Sequence, residues 1–363
     1  MSFVCFDAAM RNLAASSIIL ALAACFATGA AVDACGGTTF SEAGLDGGSP
    51  PDAAAGEAGD ATTDGTTTGP RFDEPLTVFG AYAVRTIFLG ETDRSGVPTK
   101  DAWKEYGENL DGLVTTRTST DVCRRVGGAD SSKQEDGNGG IDNSFGRTVL
   151  GFILGLVPTP SKTTNDQLAA GGRTMMLNLA PGRVGFITAA TTTAALAWNG
   201  TDVRAAAMSS VGTGPDDALS VSTTPAMSGR LVSTGIASGT FYLELALQAG
   251  TWRIPIRHAR VTMNVSSDGL RATTGTLAGI APTEELVAEI VKVAGRISTQ
   301  LCGGSTLDTI KQTIRQASDI LVDGPQDPTK SCDGISIGIG FEAVKVTATG
   351  IGPDPTPGPD PCQ

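Results

Sequence analysis

From residue 241 onward the chain alternates large apolar side chains with polar or amphipathic ones. Phe241, Leu243, Leu245 and Leu247 share one phase, and Tyr242, Glu244 and Gln248 the other, as in a strand with one face in a core. The β-branched and apolar runs at 76–89, 175–180, 184–189, 251–257, 259–265 and 269–280 predict further strands, as does the Thr-rich run around Thr191. Ser267-Asp268-Gly269 supplies a hairpin turn between two of them. A closing strand over 334–348 alternates Ile335, Ile337, Ile339 and Phe341 with Ser336, Gly338 and Gly340. Three segments switch to helical spacing. Phe145, Val149, Phe152, Ile153 and Leu156 form one stripe, Leu286, Val287, Ile290, Ala294, Ile297 and Leu301 a second, and Leu307, Ile310, Ile314, Ala317 and Leu321 a third. Thr283 is the expected cap of the second helix, with Glu284 and Glu285 in its first turn. Ser305 with Asp308 reads as a capping box for the third. The pattern predicts an α+β fold, mainly antiparallel β in a sandwich-like sheet, with helices packed near 145–157, 283–301 and 306–321.

The ends of the chain carry a different pattern. Arg11 precedes an apolar run from Leu13 to Ala24, shorter than a comfortable membrane span and well sized for a signal peptide. Leu22-Ala23-Ala24-Cys25 has the small-residue approach to cysteine of a lipobox, which makes Cys25 the expected lipidated residue. Cys35, after Val32-Asp33-Ala34, is the alternative, with Asp33 departing from the small or apolar choice. Neither cysteine is followed by Asp, so an outer-membrane or surface position is expected over inner-membrane retention. Residues 36–70 contain six acids, no Lys or Arg and almost no large apolar side chain, so they cannot bury enough surface to offset chain entropy. The division is therefore 1–35 signal and lipobox, 36–70 acidic linker, 71–352 β-rich ectodomain and 353–363 Pro-rich tail.

Charge matters only after that division. The formal net charge is −12, yet outside the signal region, linker and tail the chain carries 28 acids against 25 bases. Nucleic acid is not an expected partner, because no basic face is implied. Four of the seven cysteines, Cys123, Cys302, Cys332 and Cys362, lie in the exported portion and predict two disulfides with three connectivities. Chain reach makes Cys302–Cys332, with Cys123–Cys362, the expected pairing.

Catalytic patterns are scarce. His258 is the single histidine, which argues against zinc hydrolysis and proton shuttling, and no nucleophile elbow, phosphate loop or dinucleotide fingerprint occurs. Glu244 and Glu342 are the carboxylates a glycosidase-like pair would use, though both fall at the outward phase of a strand or beside a turn. Three acidic loops offer hard oxygen ligands: Asn109 and Asp111 in GENLDGL, Asp136, Asn138, Asp142 and Asn143 in EDGNGGIDNSFG, and Asp323, Asp327 and Asp333 around Cys332. Asp111, Asp136, Asn138 and Asp142 are the candidate ligands of a structural Ca²⁺, without EF-hand spacing. The competing explanation is that Asp-Gly and Asn-Gly pairs make turns.

The lipobox, the acidic linker, the stretch from Trp103 to Gly112, EDGNGGIDNSFG, IRQASDILVDG and SCDGISIGIGFEAVKV together resemble uncharacterised bacterial hypothetical lipoproteins over about Phe79 to Val346. The resemblance implies a surface lipoprotein and brings no catalytic residue. The sequence expectation is thus a cell-envelope lipoprotein, held at the membrane by its N-terminal lipid, with a non-catalytic binding or structural ectodomain for a surface glycan or protein. A carboxylate-dependent extracellular hydrolase acting on polysaccharide is the alternative.

Overall fold

Strand β10, Gly334–Gly352, is the axis on which the other strands assemble. The computed structural model describes residues 79–127, 134–223, 230–236, 239–247, 250–356 and 361–362. The expected signal region, Cys25, Cys35 and the acidic segment 36–70 lie outside the described residues. Along the chain the remaining strands are β1 Gly80–Phe88, β2 Thr174–Ala180, β3 Arg183–Ala189, β4 Val203–Ala207, β5 Ser220–Thr223, β6 Arg230–Val232, β7 Phe241–Leu247, β8 Gly250–Val265 and β9 Arg271–Pro282. Together they form one ten-stranded, mostly antiparallel sheet. The α+β expectation holds, with the helices where the stripes place them.

The strand pairings close on themselves. β1 pairs with β2, β2 with β3, β3 with β4, β4 with the far half of β10, and β10 with β1. Only the β4–β10 contact is parallel. Ala81, Ala83, Met176, Ile187, Ala189, Ala206, Val344 and Val346 pack together from all five strands of this ring. Small side chains dominate because a ring of five strands leaves little interior space. The near half of β10 instead carries β9, followed by β8, which pairs with both β6 and β7.

Ile335, Ile337, Ile339 and Phe341 enter the main core, where helices cover the sheet. A single π-helical turn, Phe145–Val149, runs directly into α1, Leu150–Leu156. α3, Thr283–Ile297, packs on β8 and α4, Gly304–Arg315, packs on α3. A further helix, α2 at Pro160–Ala169, has no apolar stripe in PSKTTNDQLA to announce it. It is fixed by contacts instead: the Asn165 side chain bonds both the N–H and the carbonyl of Ile87, at 2.8 and 3.0 Å.

Several local expectations are corrected. α3 is preceded by Pro282 without a side-chain cap, and the Thr283 hydroxyl reaches Ser318 instead. α4 starts at Gly304 and has no capping box; it ends at Arg315, so Ala317 and Leu321 continue the apolar surface beyond the helix. The Thr-rich segment after Ala190 is loop, not strand. The runs 251–257 and 259–265 are one strand, with a register break at His258, whose φ of 52° is left-handed.

The disulfides join Cys123 to Cys332 and Cys302 to Cys362, correcting the expected pairing. Reach was sufficient for Cys302–Cys332, but direction was not. The chain leaves Cys302 into α4 and returns along 316–333 to the loop of Cys123, where Arg124 and Lys330 exchange a backbone bond of 2.7 Å. The tail meanwhile brings Pro361 and Cys362 against Gly295 of α3, where any side chain at 295 would collide with the sulfur.

Candidate functional site

The alternation in β10 predicts a solvated second face, yet Ser336, Gly338 and Gly340 are all buried. The loop between β1 and the π-helical turn covers them. A Cβ on Gly338 would strike the Tyr106 carbonyl, and one on Gly340 would meet the Tyr106 ring at 2.9 Å. The glycines in GISIGIG are therefore contact positions for this loop.

The same loop settles an edge problem. β1 starts pairing with β10 only at Gly340, which leaves the edge of β10 from Gly334 to Gly338 without that strand. An unpaired edge inside a protein leaves N–H and C=O groups unsatisfied. Gly334 exchanges backbone bonds with Ile320. At Ser336 the Asp319 carboxylate accepts from the backbone N–H at 2.9 Å and from the hydroxyl at 2.5 Å. At Gly338 the Asn143 amide accepts from the N–H at 3.0 Å and donates to the carbonyl at 2.9 Å. Asn143 also donates to the carbonyls of Trp103 and Tyr106 and accepts from Gly146 N–H. The Ile320 backbone at Gly334 and side chains at Ser336 and Gly338 thus complete the ladder that β1 leaves off.

The expected calcium ligands surround this seam. Asp142, 3% exposed, accepts from the N–H of Leu110 at 2.6 Å. Asp136 accepts from Thr115 N–H at 2.5 Å, and Asp111 from Leu113 N–H and the Gln326 amide, both at 2.8 Å. Asp136 and Asp142 also share a side-chain hydrogen bond. Asn138 is exposed. Among the described residues, no group of three or more His, Cys, Asp and Glu is arranged to hold a metal. Desolvation raises the carboxyl pKa of both Asp136 and Asp142, and at Asp142 the neighbouring Asp111, Asp319 and Asp136 raise it further. Burial likewise pushes Asp319 up to about 7.

The other sequence candidates are dispersed. His258 faces Asp323 at 3.2 Å on exposed surface. Glu244 is 8% exposed in its side chain, against the outward phase expected, and meets Arg173 in a two-point pair at 2.5 and 2.9 Å. Glu342 lies opposite Thr86 in the β1–β10 ladder. Asp327 accepts within its own turn, from Thr329, and Asp333 caps Val322 N–H.

Sequence reading missed a cleft of about 630 Å³ between the segment after β1 and the start of α1 and α2. Trp103, Leu150 and Leu154 form its apolar wall, with Lys100, Arg147 and Lys162 among its lining. Arg147 stacks over the Trp103 ring, 5.0 Å from its centroid, and pairs with Glu135. Glu91 also lines the cleft, but both its oxygens are taken by the backbone and hydroxyl of Ser161. No periodic signal marks this cleft, because it is assembled from three separate segments. No known family, curated protein or solved structure matches this chain.

Proposed function

We propose that the chain is an exported, lipid-anchored protein of the cell envelope whose ectodomain is a non-catalytic binding or structural module. The observation that carries the reading is the cysteine usage. All four body cysteines are joined in pairs, as suits an oxidising compartment, while Cys25 ends an apolar run in a lipobox-like setting. Supporting the non-catalytic part, the carboxylates that the sequence offers for chemistry are committed elsewhere. Glu244 is held by Arg173, and Asp136, Asp142 and Asp319 hold loop and strand amides. The cleft beside Trp103 is the recognition surface, because an apolar wall with a few polar and charged groups is the usual make-up of a binding site.

The anchor is tested by intact-mass analysis of protein from the membrane fraction. An acylated N-terminal cysteine is expected, and replacing both Cys25 and Cys35 by Ser releases or mislocalises the protein. Membrane fractionation of the double variant at the wild-type level would sink the anchor. The cleft is tested with a glycan and peptide array probed by the soluble ectodomain and by Leu154→Arg. Ligands bound by wild type and lost in the variant support it, whereas equal binding by both places recognition elsewhere.

A further inference from the structure

The cleft beside Trp103 has room for the body of a ligand on its α1 side. A Cβ added at Gly151, which lines the cleft from the first turn of α1, would meet nothing within 4 Å. At Gly146, also in the lining, a Cβ would come within 2.8 Å of the Trp103 side chain. A glycine inside a helix lowers its stability, and no close contact requires one at 151. Leu154 follows one turn later on the same helix face, so the missing side chain leaves that stretch of apolar wall open. The volume of about 630 Å³ lies within the range of small-molecule sites.

The polar groups of the lining are largely spent within the protein. Glu91 gives both carboxylate oxygens to Ser161, at 2.7 and 2.8 Å, and its carbonyl accepts from Thr99 N–H at 3.0 Å. The Thr92 carbonyl accepts from the Tyr106 hydroxyl, and the Thr159 carbonyl from the N–H and hydroxyl of Thr163. Arg147 is committed to Glu135 and to the Trp103 ring. Two ammonium groups remain. Lys100 is exposed and forms no ion pair among the described residues, and Lys162 meets Asp166 in an exposed pair one helix turn apart. Exposed pairs of this kind are weak, so Lys162 can turn to another anion.

What enters must therefore ask little of the lining along its length and carry its charge at one end. A glycan brings a hydroxyl on most carbons and a peptide an amide at every residue, each costly to bury without a partner. We infer that the cleft takes an amphiphilic organic anion. Its apolar chain lies against Trp103, Leu150 and Leu154, and its terminal acid group is drawn to the rim ammonium groups of Lys100 and Lys162. The inference rests on the reading of this cleft as the recognition surface and narrows it to one ligand class, of which a straight-chain carboxylate is the simplest member.

The test is titration calorimetry with octanoate, decanoate and decan-1-ol, all below micelle formation. It uses the full chain carrying Cys25→Ser and Cys35→Ser, so that no detergent competes. Decanoate is expected to bind about tenfold tighter than octanoate, since each fully buried methylene is worth up to about fourfold in affinity. It should also bind about fivefold tighter than decan-1-ol. Lys100→Gln/Lys162→Gln is expected to erase that preference for the acid and to leave decan-1-ol binding unchanged. Gly151→Phe, which fills the cleft, should abolish binding of both; Leu154→Asp replaces it if the Phe variant fails to fold. Decanoate that does not bind, or that binds Gly151→Phe equally well, overturns the inference, as does equal affinity for acid and alcohol. If decanoate fails, glycan- or peptide-array ligands lost in Gly151→Phe keep the cleft as the recognition surface, whereas array ligands retained by that variant remove both.

Discussion

The two halves of β10 satisfy the same edge by different means. From Gly340 to Val346 the neighbour is β1, and the bonds belong to backbone pairs. From Gly334 to Gly338 the neighbour is Ile320 backbone, the Asp319 carboxylate and the Asn143 amide. A backbone ladder tolerates many side-chain identities, because the bonding groups are common to all residues. A ladder completed by side chains depends on particular residues, and two of its members bring ionisation or an unusually large number of bonds. The second half should accordingly be the fragile one.

The sharpest way to break that comparison is Asn143→Ala. Asn143 makes five hydrogen-bond contacts to Trp103, Tyr106, Gly146 and Gly338, its two amide hydrogens shared among three carbonyls, and its loss leaves several buried backbone groups without partners. A loss of about 3–5 kcal/mol is expected in denaturant unfolding. Thr86→Ala, on the strand paired with the other half of β10, should cost less than about 1 kcal/mol. Similar losses for the two variants would remove the distinction.

The Cys123–Cys332 disulfide ties the same loop to the start of β10, and the buried Gln134 amide donates to Cys123 O at 2.7 Å beside it. Replacing both cysteines by Ser should cost about 2–4 kcal/mol. Hydrogen exchange should then rise first at Ser336 and Gly338, while the β1-paired residues stay protected. Uniform loss of protection along β10 would argue that both halves open as one unit.

Protonation offers a finer probe. An Asp in the unfolded chain titrates near 3.9, whereas burial holds Asp319 at about 7. The folded state therefore binds more protons than the unfolded state between these values, so Asp319 lowers stability as pH rises from about 4 to about 7. Its contribution is fully present below about 4. The slope from one such carboxyl is at most about 1.4 kcal/mol per pH unit. Asp136 and Asp142, also raised, add to the decline. Asp319→Asn should flatten the pH profile of Tm in this window, and an unchanged profile would mean that Asp319 titrates normally. The smallest effect is expected at the exposed His258–Asp323 contact, where Asp323→Asn should move stability by less than about 0.5 kcal/mol.

Periodicity disclosed the helix-covered side of the sheet well. Ile335, Ile337, Ile339 and Phe341, and the stripes of α3 and α4, sit in the core as their spacing requires. The loop-covered side was illegible, because Ser336, Gly338 and Gly340 look like solvent positions until a loop lies on them. Asp111, Asp136, Asn138 and Asp142 stood out as hard oxygen donors, and oxygen chemistry suggested a cation. Asp111, Asp136 and Asp142 accept from backbone amides, a partnership that no short spacing encodes. The disulfide count followed from the sequence, but the pairing required the direction in which α4 carries the chain. Helix α2 escaped because its position comes from Asn165 and Glu91 contacts and not from an apolar face.

The position of β1 has a mechanical consequence. Its first residues, Ala81 to Ala83, are hydrogen-bonded to β2 on one edge and to β10 on the other. A pull on the chain ahead of Gly80, directed along the strand, loads both rows of bonds in parallel, in shear, and they must yield together. A pull across the strand would open them one at a time. Traction that enters along β1 therefore meets the loading direction that a sheet resists best.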